Sequence, residues 1–346
     1  MEDIKTEITV SGICVLSSAG ETARALCERR TSEDIITPQI DLEKYERQIA
    51  LFDTGPQELN RIQKLLFVAF LKASQMAGLE LRSAPMEQAG IFFGNSYGIE
   101  EFKSGFFRMY KKSEPALTGP ALFPFTTANA LASWLAIQTG AKGPNLTFVN
   151  GAISSSEAVF AACDALINNE CNIAFAGGIS AINNDFRDEF YASGFRYESA
   201  GMIVLEKTVN AEGSKRKPLA FLKDRQRFML TKGQMEKIKT DKSAIDINDE
   251  MRNRFKTASL EVVHLGNNLG EDIFNYNKDK FEITRITSGK RRIFSLSDAA
   301  GNFFDAAGLM GVALGIEFLH LFPEDVVCSN IDSNGSVATM LISRTL

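Results

Sequence analysis

Residues 152–167 (AISSSEAVFAACDALI) carry small or apolar side chains around nearly the whole circumference of a helix. A helix that is apolar on every face is a buried helix, and small side chains allow it to lie between two sheets. Short apolar runs, typical of buried strands, flank it at residues 146–150 (LTFVN) and 172–176 (NIAFA). These features predict an α/β protein built around a buried central helix.

The rest of the chain continues this alternation of short apolar runs and longer periodic segments. Further strands are predicted at residues 8–16, 90–94, 202–206, 260–265 and 336–343. Helices are predicted at residues 58–76, with Gly78 closing the helix, and at residues 299–321. Residues 231–254 are polar and predict a surface helix and loop. The pattern partly repeats, which predicts two similar halves, 1–212 and 213–346, in one compact unit.

Composition excludes several classes of protein. The net charge of -5 argues against nucleic acid as a partner. The sequence contains no run of about 18 apolar residues, so we expect no membrane span. The five cysteines are scattered without a CxxC pair, which predicts free thiols in the cytoplasm. Only His264 and His320 are available as imidazole ligands, so neither a metal site nor a cofactor is expected.

An ordered series of segments resembles the ketoacyl-ACP synthases of the thiolase superfamily. The segments that carry the resemblance are residues 10–18 (VSGICVLSS), 92–98 (FFGNSYG), 123–145 (FPFTTANALASWLAIQTGAKGPN), 174–179 (AFAGGI), 201–206 (GMIVLE), 306–308 (AAG) and 330–338. The resemblance covers most of the chain. It implies a thiolase-like, five-layered α-β-α-β-α fold.

The same resemblance locates the reactive centre of the family at the turn that opens the buried helix. A cysteine stands there in the family, where the helix N-terminus stabilises a thiolate. In this chain the position is Ala152, which has no nucleophilic atom. Cys163 follows eleven residues later, about 16 Å along a helix. Ser154 is the remaining candidate nucleophile, with helix capping as the alternative role.

The other catalytic positions implied by the resemblance are also altered. The first histidine of the family corresponds to His264, the second to Asn302, and a nearby lysine to Ser297. An oxyanion hole formed by His264 and Asn302 stays open as an interpretation. The glycine-rich gating loop is the more polar segment 331–335 (IDSNG), and the connection 178–201 is short for the family.

These departures favour a non-catalytic, chain-length-factor-like subunit over an independent condensing enzyme. We expect it to pair with an active ketoacyl-ACP synthase in polyketide or fatty-acid-like biosynthesis and to shape the acyl tunnel. The alternatives are a cysteine-independent decarboxylase or acyltransferase using His264 and Asn302, and a homodimeric acyl binder. An acyl carrier protein is an expected partner, and the basic runs 215–217 and 290–292 are either solvated loops or its docking patches.

Overall fold

The architecture is a mixed α/β arrangement in which the two halves of one long sheet alternate with three layers of helices. The computed structural model describes residues 7–17, 20–21, 39–50, 59–80, 84–96, 98–112, 123–181, 198–213, 216–240, 258–265, 292–296, 304–321 and 325–345. Within these residues, no helix is long and apolar enough to cross a membrane.

Within the described residues, ten strands form one sheet. They are β1 (Ile8–Ser17), β2 (Ala89–Gly94), β3 (Asn145–Phe148), β4 (Ile173–Ser180), β5 (Ser199–Lys207), β6 (Ala220–Met229), β7 (Ala258–Leu265), β8 (Arg292–Ser295), β9 (Asp325–Ile331) and β10 (Ser336–Ser343). The α-helices are α1 (Glu46–Ala50), α2 (Arg61–Met76), α3 (Ala84–Glu87), α4 (Glu100–Lys112), α5 (Ala130–Thr139), α6 (Ser154–Ile167), α7 (Thr208–Gly213), α8 (Lys232–Thr240) and α9 (Ala307–Leu321). Single 3-10 turns occur at Leu42–Tyr45, Phe123–Thr126, Gly151–Ile153 and Phe304–Ala306.

The strand order shows an internal repeat. The sheet runs β3-β2-β4-β5-β1-β6-β10-β9-β7-β8, so the first five strands and the last five have the same order, read outward from the centre. The directions repeat as well, because β2 is parallel to both its neighbours, β7 is parallel to both of its own, and the remaining pairs are antiparallel. The two half-sheets meet at three residue pairs between β1 and β6. Two similar halves therefore build the fold, and the boundary at 212/213 stays a prediction.

The layers are visible in the hydrophobic clusters. The central cluster joins α6 and α9 to residues of both half-sheets. A second cluster packs α2 against the outer face of the first half-sheet. On the outer face of the second half-sheet, Met235 of α8 packs against Val263, Ile331 and Val337. The order of layers is thus α2, half-sheet, α6 with α9, half-sheet, α8, which is the five-layered arrangement that the resemblance to the ketoacyl-ACP synthases implies.

Local sequence explains how α2 begins and ends. Asn60 and Gln63 form a reciprocal capping box that satisfies backbone N–H groups at the helix start. Gly78 has a left-handed φ of 65°, which a side chain would disfavour, and it follows the helix as predicted. The absence of a Cβ on Gly12 of β1 allows the strand to approach the Ala73 carbonyl of α2 closely.

Several boundaries differ from the sequence prediction. The buried helix begins with a 3-10 turn at Gly151–Ile153, and α6 proper starts at Ser154. The sequence predicts neither strands β6, β8 and β9 nor helices α1, α3, α4, α5 and α7. Strand β6 was missed because its sequence is charged, and the fold accounts for that charge: Arg225 and Arg227 point to one face and pair with α6. Of the polar segment 231–254, residues 241–254 lie outside the described residues.

Candidate functional site

The turn that joins β3 to α6 is the candidate site, and we call Asn150, Gly151 and Ala152 the elbow. Gly151 adopts a left-handed φ of 57°, which glycine tolerates without strain. A Cβ at this position would also lie 3.0 Å from Asp332 Oδ1. Ala152 is buried in the 3-10 turn that opens the central helix. The side chain at this place is a methyl group, as the sequence predicts, so it offers no nucleophile.

The backbone of the elbow is held by side chains from three other segments. The Ala152 N–H group donates to Asp332 Oδ1 at 3.2 Å, and the Ala152 carbonyl accepts a hydrogen bond from Asn330 Nδ2. The Gly151 N–H group donates to Ser96 Oγ at 3.1 Å. The elbow is therefore bound on one side by the loop after β2 and on the other by β9 and the turn that follows it.

Ser154 is hydrogen-bonded within the turn that opens the buried helix. Its hydroxyl donates to the Gly151 carbonyl at 2.6 Å and accepts from the Asn150 N–H group at 2.9 Å. It also lies 3.2 Å from Ser96 Oγ, and the side chain is fully buried. A nucleophilic serine needs an adjacent base, whereas these partners are two backbone groups and a second serine. The geometry therefore favours a structural role for Ser154 in the turn over a nucleophilic one.

The next two serines join the two central helices. Ser155 Oγ accepts the Gly308 N–H group of α9 at 3.2 Å. A Cβ on Gly308 would overlap Ser156 Oγ and lie 2.9 Å from the Ser156 nitrogen. The small side chains that made this helix conspicuous in the sequence thus allow α9 to pack directly on its first turn.

The described thiols are structural. Cys14, Cys163, Cys171 and Cys328 are buried and free, and Cys27 lies outside the described residues. Burial raises the pKa of Cys163 to about 12, and the Cys163 side chain lies deep in α6 rather than at the elbow. Burial likewise raises the pKa of Cys14 to about 12 and that of Cys171 to about 11. Thiols with such pKa values carry almost no thiolate at neutral pH, so they are poor nucleophiles.

Carboxylates gather around the start of α6. Glu157, only 4% exposed, accepts hydrogen bonds from Arg227 at 2.6 Å and from Asn150 Nδ2. Asp305 is fully buried and accepts the Ser96 N–H group at 2.7 Å. With Asp332, three carboxylates lie around the elbow. Negative charge near a helix N-terminus stabilises the helix, but it opposes the development of further negative charge there.

His264 is the predicted site residue that the topology brings towards the elbow. It lies near the end of β7, in register with Asn330 of β9, whose amide contacts Ala152. Asn302 and Ser297 lie outside the described residues. Sequence reasoning missed Ser96, Asn330 and Asp332 as elbow contacts, and Asp305 as the partner of Ser96. The one indication in the sequence was the polar character of residues 331–335. It pointed to an unusual segment but did not show that this segment contacts the elbow.

The basic run 215–217 is predicted to be a solvated loop or a docking patch for an acyl carrier protein. Its central residue, Arg216, fits neither role. Arg216 Nε donates to Glu206 Oε1 at 2.8 Å, and the Glu206 side chain is fully buried in β5. The Arg216 guanidinium therefore belongs to an internal ion pair, while Lys217 is exposed. In the run 290–292, Lys290 and Arg291 lie outside the described residues, and Arg292 is described by its backbone in β8. Among the described residues no cluster of three metal-ligating side chains occurs.

Comparison with known proteins agrees with this architecture. Residues 41–194 match the family model of the beta-ketoacyl synthase N-terminal domain. No curated protein sequence matches the chain.

One solved structure with this fold is a type II polyketide synthase acyl-carrier protein in complex with its ketosynthase bound to the hexaketide. Its TM-score is 0.69 at 16% identity, and the match covers 99% of this chain and 100% of that chain. The ishigamide ketosynthase/chain length factor gives a TM-score of 0.66 at 16% identity, covering 97% and 99% of the two chains. A beta-ketoacyl synthase from Burkholderia phymatum STM815 gives 0.69 at 14% identity, covering 99% and 100%.

The layers, the strand order and the structural neighbours show a thiolase-like ketosynthase fold. In this chain the elbow of that fold carries alanine. Residues 41–194 are similar in sequence to the beta-ketoacyl synthase N-terminal domain, and the chain shares its fold with ketosynthases.

Proposed function

We propose that this chain is a non-catalytic, chain-length-factor-like subunit that pairs with an active ketoacyl-ACP synthase and shapes the tunnel for its acyl chain. The observation that carries the proposal is the elbow itself. Ala152 supplies no nucleophile, the Ser154 hydroxyl is hydrogen-bonded to the backbone of the turn, and Cys163 is a buried thiol with a raised pKa. None of the described side chains at this turn is a nucleophile placed beside a base, so we expect no covalent acyl-enzyme there.

An exposed apolar edge supports the pairing. Strand β3 ends the sheet, so one side of its backbone has no neighbouring strand in the described chain. Leu146 on this strand is 48% exposed, and Val149 just after it is 53% exposed. A bare apolar edge is a surface on which another chain can add strands, and we assign it to a partner of the same fold.

The elements beside this edge extend the apolar surface. Helix α5 packs on β3 and carries Ile137, which is 75% exposed. The 3-10 turn at Phe123–Thr126 contacts α5 and α4, and it presents Phe123. Phe107 and Tyr110 on α4 are exposed as well. Exposed apolar side chains grouped beside a sheet edge suit a subunit interface.

The structural neighbours are compatible with such an assembly. One is described as a ketosynthase/chain length factor, and another as a ketosynthase with its acyl-carrier protein. By analogy with these, an acyl carrier protein would deliver chains to the active partner rather than to Ala152. Polyketide or fatty-acid-like biosynthesis is the corresponding setting.

Co-expression with cysteine-containing synthases encoded by neighbouring genes tests the proposal. Native mass spectrometry is expected to show a 1:1 complex. Replacing both Leu146 and Val149 with Lys is expected to weaken that complex at least about tenfold, because charges would be buried at the interface. The matched control is Val209→Lys, an exposed apolar position on α7, which contacts β1 and β5 rather than the β3 edge. Self-dimers with every candidate synthase would contradict the heterodimer and favour the homodimeric acyl binder.

A second candidate is cysteine-independent thioester chemistry, such as decarboxylation or acyl transfer, that uses His264 and Asn302. It is favoured by the register of His264 with Asn330, whose side chain contacts the Ala152 carbonyl. Incubation with malonyl and acyl thioesters, followed by mass spectrometry, tests it. Product that disappears in His264→Ala would support this function, and product at background level would remove it.

A further inference from the structure

The loop between β9 and β10 contributes an unusual contact to the elbow. Asp332 Oδ1 accepts the N–H group of Ala152 at 3.2 Å, across 180 positions of sequence. Asp332 is itself held in place, because its N–H group donates to the Ser336 carbonyl and its carbonyl accepts the Gly335 N–H group. Its second carboxylate oxygen lies 3.3 Å from the Asn334 nitrogen. The carboxylate is thus presented to the elbow by a closed turn.

The amide that Asp332 occupies is the group that would otherwise bind an anion. A free N–H at the start of a buried helix carries part of the positive end of the helix dipole. Such amides stabilise a carbonyl oxygen as it gains negative charge during acyl transfer. An internal carboxylate at this amide satisfies the donor and brings a negative charge to the same place.

We propose that Asp332 is an internal ligand of the elbow, whose carboxylate occupies the Ala152 amide and closes it to the carbonyl oxygen of an acyl thioester. The elbow then differs in two ways from the reactive centre that the resemblance implies. Position 152 has no nucleophile, and the N–H group of this residue is already hydrogen-bonded to a carboxylate. Returning a cysteine to position 152 would not by itself give a reactive thiolate. This inference concerns the isolated chain, so it stands or fails separately from the proposed pairing.

Amide hydrogen exchange tests the occupancy directly. In Asp332→Ala, exchange at residue 152 is expected to accelerate on the order of tenfold or more, because a charge-assisted hydrogen bond is lost. Exchange near Cys163, in the middle of α6, is expected to stay unchanged. Asp332→Asn is expected to give an intermediate rate at residue 152. Unchanged exchange at residue 152, or an equal acceleration along the whole helix, would overturn the proposal.

A cysteine probe measures the electrostatic consequence. The ionisation of Ala152→Cys is followed by thiolate absorbance at 240 nm, as a difference from the unaltered protein. The midpoint is expected above the ordinary thiol value of about 8.5. Adding Asp332→Asn is expected to lower the midpoint by on the order of one unit, because a like charge is removed.

The matched control removes a carboxylate from the far end of the same helix. Asp164 lies in the last turn of α6 and pairs with Arg225. Adding Asp164→Asn to Ala152→Cys is expected to leave the midpoint within a few tenths of a unit. Equal shifts from the two carboxylates, or no shift from Asp332→Asn, would remove the assigned role. If Ala152→Cys does not fold, the exchange measurement decides alone.

Discussion

Arg227 of β6 donates to Glu157 of α6 at 2.6 Å, and in this pair the carboxylate is 4% exposed while the side chain of the arginine is 61% exposed. In the last turn of the helix, Arg225 pairs with Asp164, but there the arginine is the more buried partner. The two arginines are two residues apart on β6, so they lie on one face of the strand. The two carboxylates are seven residues apart on α6, so they lie on one face of the helix. The two contacts hold the central helix of the first half against a strand of the second.

Removal of Arg227 is expected to destabilise the protein. In Arg227→Ala the buried Glu157 carboxylate keeps only Asn150 as a described side-chain partner. Leaving a buried charge poorly paired costs about 1–2 kcal/mol, reduced from the fully buried case because the arginine is exposed. Urea unfolding measures the change. Arg225→Ala is the control, since Asp164 is 64% exposed, and a change of less than about 0.5 kcal/mol is expected there. Equal losses for both variants would contradict this account.

Gly308→Ala is expected to lower stability by about 1–3 kcal/mol through overpacking. The added methyl would overlap Ser156 Oγ and press on the α6 backbone. Thermal unfolding followed by circular dichroism measures the loss. Gly311 lies one turn later on α9 with nothing within 4 Å of a Cβ, so Gly311→Ala is expected to be neutral or to stabilise by up to about 1 kcal/mol. A destabilised Gly311→Ala together with a stable Gly308→Ala would refute the packing described for α6 and α9.

The ion pair between Arg61 and Glu198 is expected to contribute more than an exposed pair. Glu198 is fully buried and accepts hydrogen bonds from Arg61 Nε at 2.9 Å and from the Ile40 N–H group at 2.8 Å. Arg61→Ala is expected to cost about 3 kcal/mol in urea unfolding, because a buried carboxylate loses its cation. The exposed pair of Lys142 and Glu87 supplies the control. Lys142→Ala is expected to change stability by less than about 0.5 kcal/mol, and a comparable loss in both would show that burial is irrelevant here.

Stability is expected to fall as the pH rises above 9. Burial raises the pKa of Cys163 from 9.0 to about 12, so the unfolded chain releases this proton first. The contribution of the protonated thiol is complete below pH 9 and is lost between pH 9 and pH 12, with a slope of up to about 1.4 kcal/mol per pH unit. Urea unfolding at pH 8, 9 and 10 measures the slope. Cys163→Ala is expected to make it shallower, and an identical slope in this variant would exclude the thiol as a cause.

Part of the fold could be predicted from local sequence. The small residues of α6, the apolar runs of β1, β2, β4, β5 and β10, and the glycine after α2 are short-range signals, and each became the predicted element within a few residues. Strand β6 could not be predicted in this way. Its charges are stabilised by Glu157 and Asp164 of a distant helix, so its sequence alone reads as a polar segment.

The sequence by itself determined that position 152 carries a methyl group and that the helix behind it must be buried, because both are properties of local side chains. Only the tertiary structure decided what contacts that position. Asp332, Asn330 and Ser96 reach the elbow because sheet register brings β9, β10 and β2 to one end of α6. Register depends on pairing between residues far apart in the chain, and no local pattern of side chains encodes that pairing.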